Sequence, residues 1–274
     1  MAQQTALRIL WNTMSCIGGR NFTSFVSYIL SSYDDTLFYF DERTHPGVQG
    51  CVALTIDDGF CRNGTECSLV SEVRELLQQH GARATFFLCS TYLPGLETEA
   101  QKLLEDGNEF ANHMTMDSHK WAGGPIEEFE ADLRSCSNTL EALQHQACPH
   151  EQRRLAWFRA PGGRLTSPMR EVMRSQGLRH ALGDCYCDDW CIEDADYVAQ
   201  TLLCQARSGS VIIMHMPERG FREHCLEALR QLLEGLAAKG LTCVTLSDLA
   251  ARAEVACDSS AEGEESSADT SDSG

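Results

Sequence analysis

Asp57 and Asp58 are adjacent carboxylates placed where an apolar run, Cys51-Val52-Ala53-Leu54-Thr55-Ile56, gives way to Gly59. Side chains alternate along a strand and diverge at its end, so one acid could hold a cation while its neighbour handles a proton. The same residues also fit an Asx turn in which Gly59 supplies a positive φ, so the pair needs support from elsewhere in the chain.

Four later segments have the same form, an apolar run followed by residues able to do chemistry. Phe110-Ala111 leads into Asn112-His113, with Asp117 four residues and His119 six residues after His113. One helical turn would put Asp117 on the face of His113 and His119 about 120° away. Asp117 is therefore the expected partner of His113, and His119 the alternative. Trp157-Phe158 leads into Arg159-Ala160-Pro161-Gly162-Gly163, an arginine followed by a loop of exposed backbone amides. Leu182 leads into Gly183-Asp184 and on to Asp189-Trp190, and Val211-Ile212-Ile213-Met214 leads into His215. Singly, a histidine after a strand is usually structural, an arginine usually a surface ion pair, and Asp-Trp a helix cap beside a core aromatic. Five such segments in one chain point to a site.

The elements that must carry these residues alternate. Strands are expected at 51–56, 83–88, 109–111, 155–159, 179–182, 210–214 and 241–245. Between them, amphipathic helices are expected near 68–80, 97–106, 125–145, 167–176, 194–207 and 222–238; in the third of these, Ile126, Phe129, Leu133, Cys136 and Leu140 fall at helical spacing. Apolar strands alternating with helices predict an α/β fold of parallel strands, in which functional groups gather at the strands' carboxyl ends. Residues 1–46 read as an N-terminal extension ending at His45-Pro46-Gly47, residues 47–252 as the barrel-sized domain, and 253–274 as a disordered acidic tail.

Composition narrows the partners. A net charge of −18 over 274 residues argues against nucleic acid and anionic membranes. No apolar stretch is long enough to span a bilayer, and Arg8 and Asn12 interrupt the apolar start, so no clear signal peptide is read. The 14 cysteines are then expected as reduced thiols in a cytoplasmic protein, with secretion the alternative and a Cys61–Cys67 disulfide one arrangement that would brace the site. Cys185, Cys187 and Cys191 lack a zinc-type spacing and are expected to be inert.

Thr55-Ile56-Asp57-Asp58-Gly59, Asn112-His113, Arg159-Ala160-Pro161-Gly162-Gly163, Asp189-Trp190 and Ile212-Ile213-Met214-His215 together resemble, in order, the five motifs of the polysaccharide deacetylase (NodB homology) family. The resemblance covers roughly residues 48–250 and implies a distorted (β/α) barrel of about seven parallel strands. It also implies metal-dependent removal of N-acetyl groups from an N-acetylated carbohydrate. By the same resemblance Asp57 is the base, Asp58 and His113 are metal ligands, Arg159 orients the base and His215 is the acid. Asp117 stands where the family has a second histidine and is kept as third ligand, with His119 as alternative. The cation expected is zinc, with cobalt or manganese as alternatives. Gly162 would offer a backbone donor to the oxyanion, Trp190 an apolar wall, and Asp189 a hold on Arg159. Gly162 replaces a bulky family residue, and Met216 an aspartate that could partner the acid. A weakly active or purely binding member of the same fold, and a hydrolase of another non-peptide C–N bond, remain as alternatives.

Overall fold

In the computed structural model, described for Gln4, Thr5, Arg8, Arg20 and residues 33–149 and 154–261, the chain alternates strands and helices as its pattern predicts. The strands are β1 (Cys51–Gly59), β2 (Thr85–Leu88), β3 (Glu109–Asn112), β4 (Trp157–Phe158), β5 (Arg179–His180), β6 (Val211–His215) and β7 (Thr242–Val244). The helices are α1 (Val70–Gln79), α2 (Glu97–Glu105), α3 (Ile126–Ala147), α4 (Ser167–Ser175), α5 (Ala195–Gln205), α6 (His224–Ala238) and α7 (Leu246–Ala261). All pairings between these strands are parallel, in the order β5-β4-β3-β2-β1-β6, with β7 joined to the start of β1.

Two apolar layers follow from the twofold alternation of each strand. Val52, Leu54, Ile56, Phe86, Leu88, Phe110, Phe158, Ile212 and Met214 face outward and pack with the helices, among them Phe129 and Leu133 of α3. Ala53, Phe87, Ala111, Trp157, Ala181 and Val211 face inward, and Leu246, Leu249, Ala250 and Ala253 of α7 close that layer from below.

The sheet is curled into a half-barrel. Three interstrand spacings of about 4.8 Å would separate β1 from β4 by about 14 Å in a flat sheet. Yet the Arg159 guanidinium that follows β4 lies 2.5 Å from Asp57 of β1. Between the β5 and β6 edges, Leu37 pairs with Ala181, Tyr39 with Ser210, and Cys185 with Ile212. Residues 37–39, within the segment read as an extension, thus fill the seam of the barrel.

Several boundaries differ from the sequence reading, β1 running on to Gly59 and β2 beginning only at Thr85. Strands β4 and β5 are shorter than expected, with only two residues of each as ladder partners. The acidic end is helical as far as Ala261, since Leu246, Leu249, Ala250 and Ala253 give it an apolar stripe to bury. The expected boundary at residue 252 therefore falls inside α7, and residues 262–274 lie outside the described residues. Among the described residues no helix is long and apolar enough to cross a membrane. Cys61 and Cys67 are free thiols, and Cys61 Sγ donates to Gly64 O and Glu218 Oε2.

Candidate functional site

The strand alternation that builds the inner layer also places the site. Continuing the inward positions Ala53, Ala111, Trp157 and Val211 by steps of two reaches Asp57, His113, Arg159 and His215 at the carboxyl ends of four strands. All four line one cavity of about 700 Å³, together with Asp58, Asp117, His119, Gly162, Tyr186 and Trp190. Asp57 and His215 are register partners on β1 and β6. Alternation alone would send Asp58 outward. The register shifts between Asp57 and Gly59, Asp58 takes φ 61°, and this bulge turns the second acid back into the cavity.

Asp57 is held by Arg159. Its Oδ1 accepts from Nη1 at 2.5 Å, while Nη1 also donates to Thr55 Oγ1 at 2.9 Å and Nε to Ala181 O at 2.9 Å. The guanidinium stacks on Phe87, 4.0 Å from the ring centre, and is fully buried. Asp189 has no bond to Arg159, contrary to the expectation. It accepts instead from His215, at 2.7 Å from Nδ1 and 2.8 Å from the backbone N–H. His215 thus has a carboxylate partner in spite of Met216, supplied from the preceding loop. Burial works against charge on His215, but Asp189 outweighs it, with help from Asp58, and raises the imidazole to about 9. Burial likewise opposes ionisation of Asp189, and His215 overcomes it and lowers the carboxyl.

The second acid has a divided environment. Asp58 Oδ2 accepts from Arg62 Nη2 at 3.0 Å and from Arg222 Nη1 at 2.7 Å. Its Oδ1 is buried without a hydrogen-bond partner among the described residues and lies 3.4 Å from His113 Nε2. His113 Nδ1 is fixed by the carbonyl of Arg159 at 2.8 Å. That bond makes Nδ1 the donor and directs the Nε2 lone pair toward Asp58. Burial opposes the Asp58 charge, yet His113, His215 and Arg222 hold the carboxyl well below its usual range. Burial would also lower His113, but the carboxylates of Asp58, Asp57 and Asp117 prevail and raise it, so a proton and a cation compete for Nε2. An orphaned buried carboxylate oxygen beside an oriented imidazole suits a divalent cation. Asp58, Cys89 and His113 form a group whose potential ligand atoms all lie within 4.8 Å of one another.

Asp117 is not in that group. The helical turn expected from His113 to Asp117 does not form, because Met114 takes φ 68° and Asp132 captures the Thr115 N–H and hydroxyl. Asp117 meets Arg62 instead, at 3.3 Å from Nη2. His119 lies over Gly162, and a Cβ built on that glycine would come within 2.1 Å of the imidazole. Trp190 is 42% exposed at the rim, with Nε1 donating to Tyr186 Oη and Asp188 Oδ1. Cys185 and Cys187 are buried in the outer core.

Gly162 has φ 61°, which costs a side-chain-bearing residue about 1–2 kcal/mol. Gly162→Ala should therefore lower unfolding stability by at least that much, since His119 must also move. In a His119→Ala background the same substitution should cost measurably less. A denaturant-melt double-mutant cycle reads the coupling, and strictly additive losses would show that the imidazole does not pack on residue 162.

Arg62, Arg222 and Cys89 were absent from the sequence reading. Cys89 follows β2 directly and passes the same strand-end criterion that selected the others. Arg62 and Arg222 sit in loops with no periodic signal. Arg62 is held between the rings of Tyr92 and Phe221, at 5.2 Å and 5.6 Å from their centres.

The family profile for polysaccharide deacetylase matches residues 45–181. A chitooligosaccharide deacetylase from Azorhizobium caulinodans is 28% identical over 202 residues, spanning 70% of this chain and 90% of that protein. A peptidoglycan-N-acetylglucosamine deacetylase from Bacillus cereus is 24% identical over 206 residues, 74% of this chain and 90% of its own length. Among solved structures, the peptidoglycan deacetylase PdaC from Bacillus subtilis superposes with TM-score 0.66 at 20% identity, covering 80% of this chain and 99% of that one. A CE4 family pseudoenzyme from Bacillus anthracis gives 0.64 at 17% identity, over 77% of this chain and 67% of that one. Likeness at these identities establishes the shared half-barrel fold.

Proposed function

Because the chain belongs to the polysaccharide deacetylase family, we propose that it hydrolyses the N-acetyl amide of an amino sugar in a chitin-like or peptidoglycan-like glycan. The observation that carries this reading is a carboxylate and an imidazole on adjacent strand ends, each with its own buried partner and so suited to act as base and acid: Asp57 on Arg159 and His215 on Asp189. A site that only bound sugar would need neither pairing.

A divalent cation at Asp58 Oδ1 and His113 Nε2, zinc first and cobalt or manganese as alternatives, would polarise the amide carbonyl and lower the pKa of a water. Asp57 takes the proton from the attacking water, and Arg159, bonded to its Oδ1, holds the carboxylate aimed into the cavity. His215, protonated and fixed through Nδ1, gives its Nε2 proton to the departing amine. The Gly162 N–H offers a donor to the oxyanion, and Trp190 offers an apolar surface at the mouth.

Acetate release from N-acetylglucosamine oligomers and peptidoglycan fragments, measured alongside bound metal, tests the proposal. Turnover with a metal requirement is expected. Metal uptake without acetate from any of these glycans would remove the enzymatic reading. It would favour the second one, in which the fold binds sugar without turnover, a reading motivated by the two guanidiniums on Asp58 Oδ2.

A further inference from the structure

We propose that Cys89 is the third protein ligand of the cation site, in the role that Asp117 does not reach. The inference rests on the cation reading above but assigns a residue and a chemistry beyond it.

Position argues first. Phe87 faces the barrel interior, so alternation turns residue 89 inward at the end of β2. That strand runs between the two that carry the other ligands. Cys89 N–H donates to Gly59 O at 3.3 Å, and the carbonyl of Leu88 accepts from the His113 N–H at 3.0 Å. The thiol is thereby clamped between Asp58 and His113. It is completely buried, and its sulfur lies within 4.8 Å of both potential ligand atoms. Among the described residues, the one hydrogen bond of its S–H is a weak donation to His113 O at 3.3 Å.

Asp58 supplies an independent observation. Its side chain is 3% exposed, and among the described residues Oδ1 has no hydrogen-bond partner, its polar neighbour being His113 Nε2 at 3.4 Å. An unpaired carboxylate oxygen in such a place costs free energy unless something occupies its lone pairs. Arg62 and Arg222 both bind the other oxygen, Oδ2, leaving Oδ1 directed at the space between His113 and Cys89.

Charge argues next. Asp57, Asp58 and Asp117 are matched by Arg159, Arg222 and Arg62, so the cluster is balanced before a cation enters. A dication with only Asp58 and His113 as ligands would leave a buried excess of two positive charges. Exchanging the Cys89 S–H bond for a sulfur–metal bond, with the proton leaving to solvent, halves that excess. It also completes a three-ligand set of carboxylate, imidazole and thiolate, which suits zinc or cobalt and leaves a fourth position open.

Cobalt(II), added to the chelator-stripped full chain, is the probe, because a thiolate ligand gives a near-ultraviolet sulfur-to-cobalt charge-transfer band that oxygen and nitrogen ligands do not. The wild type should bind one cobalt and show the band. Cys89→Ala should lose the band and weaken binding at least ~10- to 100-fold, the loss typical of removing even a ligand's supporting group. Should the alanine variant fail to fold, Cys89→Ser keeps the volume and must likewise lose the band. Asp117→Asn should retain band and affinity. Cobalt bound without the band, or a band that survives Cys89→Ala or Cys89→Ser, would overturn the thiolate assignment while leaving a cation site intact. No cobalt binding above that of His113→Ala would overturn the thiolate and the cation reading together.

Discussion

Asp57→Asn should lower acetate release by about 10²- to 10⁴-fold, the range that a positioned general base contributes, while bound metal stays at the wild-type level. The substitution keeps the shape of the side chain and removes its basicity. Metal content separates the two acids, since Asp58 and not Asp57 faces His113 Nε2. A second consequence follows from burial. Arg159 is fully enclosed and has Asp57 as its ionic partner, at 2.5 Å, so the variant leaves a guanidinium facing a neutral amide. Breaking one side of a buried pair costs about 3–5 kcal/mol, and the amide oxygen recovers part of this by accepting the same hydrogen bond. A lowered melting temperature is therefore expected together with the activity loss, and assays belong well below it. A folded, metal-loaded Asp57→Asn protein that kept more than a tenth of wild-type turnover would remove Asp57 from the role of base.

The same geometry shows what the sequence could and could not disclose. Asp57, His113, Arg159 and His215 were legible because each ends a strand whose alternation is regular, and a strand end projects its last inward residue into the barrel mouth. Asp58 enters the cavity for a reason that alternation does not contain, the bulge between Asp57 and Gly59. The four-residue spacing of His113 and Asp117 suggests a helical turn, whereas Asn112 Oδ1 holds the Met114 N–H at 2.7 Å and Asp132 holds Thr115. These bonds break the turn before it can form. Asp189 was found as a residue but assigned to the wrong partner, since loop length does not say which of two buried cations a carboxylate will meet. Cys89 carries no signal of its own, because a small thiol after an apolar strand is ordinarily packing. The parallel α/β arrangement was legible from the alternation of strands and helices, and its curling into a barrel followed from the motif resemblance; the pairing of residues 37–39 across its seam depends on long-range contacts that no local pattern carries.

The pairing of His215 with Asp189 leads to the other large effect, which depends on pH. His215 is raised from an ordinary 6.5 to about 9, with burial opposing and Asp189 prevailing. A histidine raised on folding contributes stability that is fully present below its unfolded pKa and is lost as pH rises through the folded one. Asp189 is itself lowered, so it stays ionised across this window and does not set its acid edge. At 1.36 kcal/mol per pH unit, a rise from 6.5 to about 9 corresponds to about 3 kcal/mol. Asp189→Asn, melted in the presence of chelator, should thus be less stable than wild type by up to about 3 kcal/mol near pH 6. The gap should narrow between pH 6.5 and 9. A gap independent of pH would show that Asp189 acts through hydrogen bonds alone. Activity supplies a second readout with its own sign. An acid must hold its proton to deliver it, so turnover by the wild type should fall on the alkaline side only as pH approaches 9. In Asp189→Asn that limb should move toward 6.5 or below, with the acid limb of the profile unmoved. If the limb does not shift, the proton that reaches the departing amine does not come from His215.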